Sequence, residues 1–157
     1  MPANYALLRA HPAYFLALGF GAGLVPRAPG TVGTLAAFPL YWALVGLPSS
    51  AYWLLVGLGF LVGVWACART AQALDEPDPG SVVWDEIVAF LVVLPFAAAG
   101  LWGMLTAFVL FRLFDILKPF PIGWLERRLG GGIGIMLDDL IAAFYAILCL
   151  RGIALWI

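Results

Sequence analysis

Residues 28–68 contain no charged side chain, and residues 87–111 contain none either. The hydrocarbon core of a bilayer takes about 20 apolar residues per crossing helix, and both runs exceed that. In lipid every backbone N–H and C=O must find its partner inside the segment, which restricts such runs to helices. The composition agrees: 64% of residues are hydrophobic, well above the ~45–50% of an ordinary soluble domain. The expected fold is all-α, a polytopic membrane helical bundle. At 157 residues it forms a single domain, 1–157, with no separate soluble unit.

The apolar pattern divides into five expected spans, 31–47, 51–68, 82–96, 101–117 and 136–157. The first two form a hairpin about Pro48-Ser49-Ser50. The next two turn near Pro95 and Gly100, although 87–111 read as one helix is the competing division. That single helix would put Glu86 and Arg112 on opposite membrane faces, whereas the hairpin groups these costly charges on one side. The run 14–25 is too short to cross. With Gly19, Gly21 and Gly23 and the break Pro26-Arg27-Ala28-Pro29-Gly30, it is expected to be a re-entrant or interfacial segment retained in the chain.

Every basic residue except Arg151 falls at the N-terminus, at Arg27, at Arg69 or between Arg112 and Arg128, while the turns near 48–50 and 96–103 are uncharged. The positive-inside rule puts the charged side in the cytoplasm. A net charge of -1 without a basic patch excludes a nucleic-acid partner. Cys67 and Cys149 lack metal-ligand spacing, so neither a zinc site nor a disulfide is expected. His11 reads as an interfacial residue, and the tryptophans and phenylalanines as mostly lipid-facing or belt residues. Nothing in the sequence specifies an oligomeric state.

Against this background the acids stand out, because Asp85, Glu86, Asp115, Asp138 and Asp139 lie at the edges of apolar spans. Intramembrane ionisable groups are expensive and usually functional. In Gly80-Ser81-Val82-Val83-Trp84-Asp85-Glu86 a Pro79-Gly80 break precedes a helix with two carboxylates in its early turns. Ser81 capping, with acids favoured by the helix dipole, is the structural alternative. In Arg112-Leu113-Phe114-Asp115-Ile116-Leu117-Lys118-Pro119, the charged residues recur every third position on one helical face, which a plain i,i+3 ion pair would also explain. A +/-/+ face beside further carboxylates suits a metal with a phosphate.

The third motif, Gly130-Gly131-Gly132-Ile133-Gly134-Ile135-Met136-Leu137-Asp138-Asp139, reads as a flexible approach whose acids open the last span, either for the dipole or for a ligand. Pro29-Gly30-Thr31-Val32-Gly33-Thr34 starts the first span, and its free N–H groups and hydroxyls could cradle a phosphate at Gly30, Thr31, Gly33 and Thr34.

Together, Pro29-Gly30-Thr31-x-Gly33-Thr34, Gly80-Ser81-x-Val83-x-Asp85-Glu86, Phe111-Arg112-x-x-Asp115-x-x-Lys118-Pro119-x-Pro121 and Gly131-Gly132-x-Gly134-Ile135-Met136-x-Asp138-Asp139 resemble the phosphatidylglycerophosphatase A family over nearly the whole chain. Each motif is short, but the four in this order are specific. The resemblance implies a bacterial inner-membrane, Mg2+-dependent phosphatase that converts phosphatidylglycerophosphate to phosphatidylglycerol at the cytoplasmic face.

By that resemblance, Mg2+ would be held by several of Asp85, Glu86, Asp115, Asp138 and Asp139. Arg112 and Lys118, with Gly30, Thr31, Gly33, Thr34 and Ser81, would meet the phosphate. One histidine remote from the motifs and no Cys-x5-Arg loop exclude phosphohistidine and phosphocysteine routes. Water attack and an aspartyl-phosphate both remain. Other classes are a metal-dependent lipid phosphotransferase, whose Asp-Gly/Ala-Arg run is missing, and an ion-coupled transporter, which 157 residues without repeats would build only by oligomerising.

Overall fold

Breaks in the apolar pattern become helix ends in the computed structural model, which describes residues 3–126 and 128–156. Helix α1 (Tyr5–Ala10) starts at Asn4, whose side chain accepts the Leu7 N–H at 2.9 Å. His11 does the same for α2 (Pro12–Ala17), its Nδ1 accepting from the Ala13 N–H at 3.1 Å. The lone histidine is thus a helix cap. A 3-10 segment, Gly19–Leu24, follows, with left-handed backbone at Phe20 and Gly21.

The longer helices are α3 (Pro29–Leu44), α4 (Ser49–Leu74), α5 (Trp84–Val93), which continues into a 3-10 turn at Leu94–Phe96, and α6 (Leu101–Leu117). A short α7 (Ile122–Glu126) leads to α8 (Gly131–Ala154). The described residues form an all-helical bundle without a strand.

The chain breaks between α5 and α6, with Ala97 extended and Gly100 at φ 89°, so 87–111 is two helices. Helix α6 keeps the expected bounds because Gly100 and Pro119 bracket it. Two ends differ. Helix α4 runs on to Leu74, and α8 begins at Gly131, turning the expected glycine-rich approach into helix. The α8 start is set by packing: a Cβ on Gly132 would collide with the Val64 carbonyl of α4, so Gly132 lets the two backbones touch. Arg127, and Ile157 at the end of the expected last span, lie outside the described residues.

Helices α4 and α8, with 26 and 24 residues, are long and apolar enough to cross a membrane; at 1.5 Å per residue they reach roughly 36–39 Å. Helix α5 is central. Beyond its acidic first turn it is apolar on all sides, and it packs against α3, α4 and α8, with Ile87, Val88, Phe90 and Val93 fully buried. Phe90 meets Phe38, Phe108 and Phe111 at centroid distances of 5.3, 6.0 and 5.5 Å. Phe90 and Phe111 are therefore core rather than lipid-facing, because they lie between helices. The outside carries Leu54, Leu61, Val109, Ile116 and Phe144 exposed, along with most of the tryptophans. Apolar surface of that extent is suited to lipid rather than water.

Candidate active site

The charged residues flagged by the sequence collect at one end of the bundle. Ala28, in left-handed backbone at φ 51°, turns the chain into α3. The loop before α5 is pinned by the Val83 N–H, which donates to the Ala17 carbonyl at 2.9 Å. Val83 also packs against Gly33 and Gly19. These contacts place the first turn of α5, with Asp85 and Glu86, beside the N-terminus of α3. The last turns of α6 bring Arg112 and Asp115, and the third turn of α8 brings Asp138 and Asp139. Between them lies a cavity of about 340 Å³ lined by Gly30, Asp78, Arg112, Lys118 and the five acids named above.

Asp85, Glu86 and Asp139 each offer one carboxylate oxygen, and these oxygens lie within 4.8 Å of one another. Asp85 and Asp139 are 7% and 5% exposed. Asp85 Oδ1, Glu86 Oε2 and Asp139 Oδ2 are buried without a hydrogen-bond partner. Unpaired buried carboxylate oxygens are costly, and a hard divalent cation is the partner that an all-oxygen donor set fits. Dipole stabilisation explains little at Asp138 and Asp139, since the effect fades beyond the first turn and α8 starts at Gly131.

Asp115 and Asp138 are engaged differently. Arg112 Nη1 lies 2.5 Å from Asp115 Oδ2 and 3.5 Å from Glu86 Oε1, tying α6 to the acid cluster. It also donates to the Thr34 hydroxyl at 3.5 Å. Lys118 Nζ lies 3.6 Å from Asp138 Oδ2 and 3.9 Å from Asp78 Oδ2. Of the five acids expected around a metal, Asp85, Glu86 and Asp139 converge, Glu86 also meeting Arg112, while Asp115 and Asp138 pair with the basic groups.

The α3 motif divides in the same way. Gly30 reaches the cavity, whereas Gly33 packs on Val83, and the Thr34 hydroxyl donates to the Gly30 carbonyl at 2.9 Å. Thr31 and Ser81 are half-buried outside the cavity lining, and the Ser81 carbonyl lies against Gly23. Sequence reasoning passed over Asp78. Its signal was its place directly before the Pro79-Gly80 break that opens the first acidic motif.

Carboxylates able to hold a hard cation, with a guanidinium among them and an ammonium at the same cavity, can bind and polarise a phosphate ester. The comparisons with known proteins point the same way. The family model for phosphatidylglycerophosphatase A matches residues 15–154. The chain is 43% identical to phosphatidylglycerophosphatase A of Escherichia coli over 89% of its own length and 82% of the relative's. The Haemophilus influenzae protein of that name is also 43% identical, over 93% and 91% of the two chains. A Bacteroides thetaiotaomicron protein provisionally named a phosphatidylinositol-3-phosphatase is 39% identical, over 88% and 91%. No solved structure matches the chain. On the family match and these identities, the chain belongs to the phosphatidylglycerophosphatase A family.

Proposed function

We propose that this protein is a Mg2+-dependent lipid phosphatase that removes the terminal phosphate of phosphatidylglycerophosphate to leave phosphatidylglycerol. The observation that carries the reading is the convergence of Asp85, Glu86 and Asp139 beside Arg112 in one cavity at the end of an apolar bundle. Family membership supplies the substrate class.

Asp85, Glu86 and Asp139 would hold the cation, with Asp138 and Asp115 bordering it. When bound, Mg2+ supplies Lewis-acid polarisation of the phosphoryl oxygens and acidification of a water. Arg112 neutralises a non-bridging phosphoryl oxygen, and its pairs with Glu86 and Asp115 hold it there. Lys118 and the Gly30 end of α3 add positive potential at the cavity. Each cavity carboxylate has another partner, Asp115 in Arg112, Asp138 in Lys118 and the other three in the cation they would hold, which leaves water to attack phosphorus. The bond from phosphorus to the terminal glycerol oxygen breaks, a cavity carboxylate accepts the water proton, and the carboxyl so formed returns it to the leaving alkoxide.

The chain is one membrane domain, 1–157. Helices α3, α4, α5 with its 3-10 turn, α6 and α8 form five spans, and 14–25 is a re-entrant or interfacial segment. The cavity faces the cytoplasm of a bacterial inner membrane. The gathering of the α3 and α5 N-termini with the C-terminal end of α6 supports this arrangement, because alternating spans bring those ends to one side. Helix α3 has 16 residues, α6 has 17, and α5 has 10 before its 3-residue turn, all short for a ~30 Å core and accommodated by local thinning of the bilayer.

The deciding experiment measures phosphate release by purified protein in Mg2+ from phosphatidylglycerophosphate, phosphatidic acid, phosphatidylinositol 3-phosphate and a soluble phosphomonoester. Preference for phosphatidylglycerophosphate, abolished by chelator, is expected. Release from the soluble ester alone, or none from any substrate, sinks the reading.

A further inference from the structure

Among the described residues, the two cations of the cavity are held by separate acids on separate elements. Arg112 is bound by Glu86 of α5 and Asp115 of α6, beside the carboxylate cluster. Lys118 is bound by Asp78, in the loop before α5, and by Asp138 of α8. Asp78 and Asp138 also line a second cavity of about 310 Å³ that reaches Leu129, Gly130 and Gly131. The Lys118 bridge therefore stands where the two cavities adjoin.

Lys118 is also an unusual residue for its place. It ends α6 in left-handed backbone at φ 43°, a position that favours glycine. A residue with a Cβ is held there at a conformational cost, which points to a use for the side chain.

We propose that Asp78 is a positioning residue for substrate specificity: it sets Lys118 at the junction of the cavities to bind a second phosphate on the substrate. The inference rests on the lipid phosphatase reading above and sharpens its substrate class. A lipid with a single phosphate needs one cationic centre, which Arg112 and the metal cluster provide. A lipid with a terminal phosphomonoester and an internal phosphodiester carries two anions separated by a short alcohol, and two separately held cations match that pattern. Lysine suits the diester, because a compact ammonium meets a singly charged oxygen without needing the bidentate geometry of guanidinium.

The test compares kcat/KM for phosphatidylglycerophosphate, which has both phosphates, with that for phosphatidic acid, which has the monoester alone. Wild type should prefer the former. Asp78→Asn should lower that preference about tenfold, mainly through KM for phosphatidylglycerophosphate. Lys118→Met should lower it similarly, the double variant no further, and Asp78→Glu should restore it.

A parallel fall for both lipids would make Asp78 merely structural and overturn the proposal. So would additive losses in the double variant. Equal wild-type use of the two lipids would overturn it while leaving the lipid phosphatase reading intact. Wild type inactive on both would remove that reading, and this inference with it.

Discussion

The Glu86 carboxylate occupies the space that a side chain on Gly30 would fill. A Cβ at Gly30 would run into Glu86 Oε1 and come within 3.1 Å of Arg112 Nη1. The first turn of α3 is therefore a wall of the acid cluster, and its lack of a side chain lets Glu86 and Arg112 meet.

Gly30→Ala should consequently damage the site more than the fold. Alanine is the better helix former by up to ~1 kcal/mol, so thermal stability should move little. Displacing Glu86 and Arg112 should lower kcat/KM by about tenfold or more. Melting temperature and kinetics on the same preparation check both halves. Wild-type kinetics would mean that this contact does not hold Glu86 in a working position.

The carboxylate cluster should behave as one metal-binding unit. Asp85→Asn, Glu86→Gln and Asp139→Asn keep side-chain volume while removing charge. Each should fold yet lose far more than tenfold in turnover, at about 1.4 kcal/mol per factor of ten. Each should also weaken Mn2+ binding followed by electron paramagnetic resonance, whereas Asp138→Asn should act chiefly on KM. Chelation should abolish activity reversibly, and acid quenching during turnover of labelled lipid should leave no phosphate on the protein. Full activity in chelator, or near-wild-type rates in all three variants, would make the acids structural.

Helix α4 supplies a topology test, because Ser49 and Asp75 are exposed at its two ends. In a background lacking Cys67 and Cys149, a cysteine at Asp75 should react with an impermeant maleimide from the cytoplasmic side alone, and one at Ser49 from outside alone. Labelling of both from one side would remove α4 as a span and the five-span arrangement with it.

The α4–α8 contact should be sensitive to a single side chain. A Cβ on Gly132 would strike the backbone of Val64, with the Ala68 nitrogen 2.9 Å away, and neither backbone can swing aside. Gly132→Val should destabilise by about 1–3 kcal/mol, as overpacking does. Gly152→Ala, at a position with open space around it, is the control and should leave the melting temperature nearly unchanged. Equal behaviour of the two variants would show that the close approach carries no energetic weight.

What was legible in the sequence was local in origin. The helical content follows from uncharged runs that can satisfy their backbone only within themselves. The bounds of α6 follow from Gly100 and Pro119, and the Arg112–Asp115 pair from i,i+3 spacing. What only the tertiary structure decided depends on how helices meet. Neighbouring acids project about 100° apart on a helix, so packing determines that Asp139 joins Asp85 and Glu86 while Asp138 turns to Lys118. The same holds for α8 starting at Gly131, since a glycine run that suggests a flexible loop becomes helix once α4 lies against Gly132. Asp78 finds Lys118 across a break and two helices with the turn between them, a distance that no local periodicity spans.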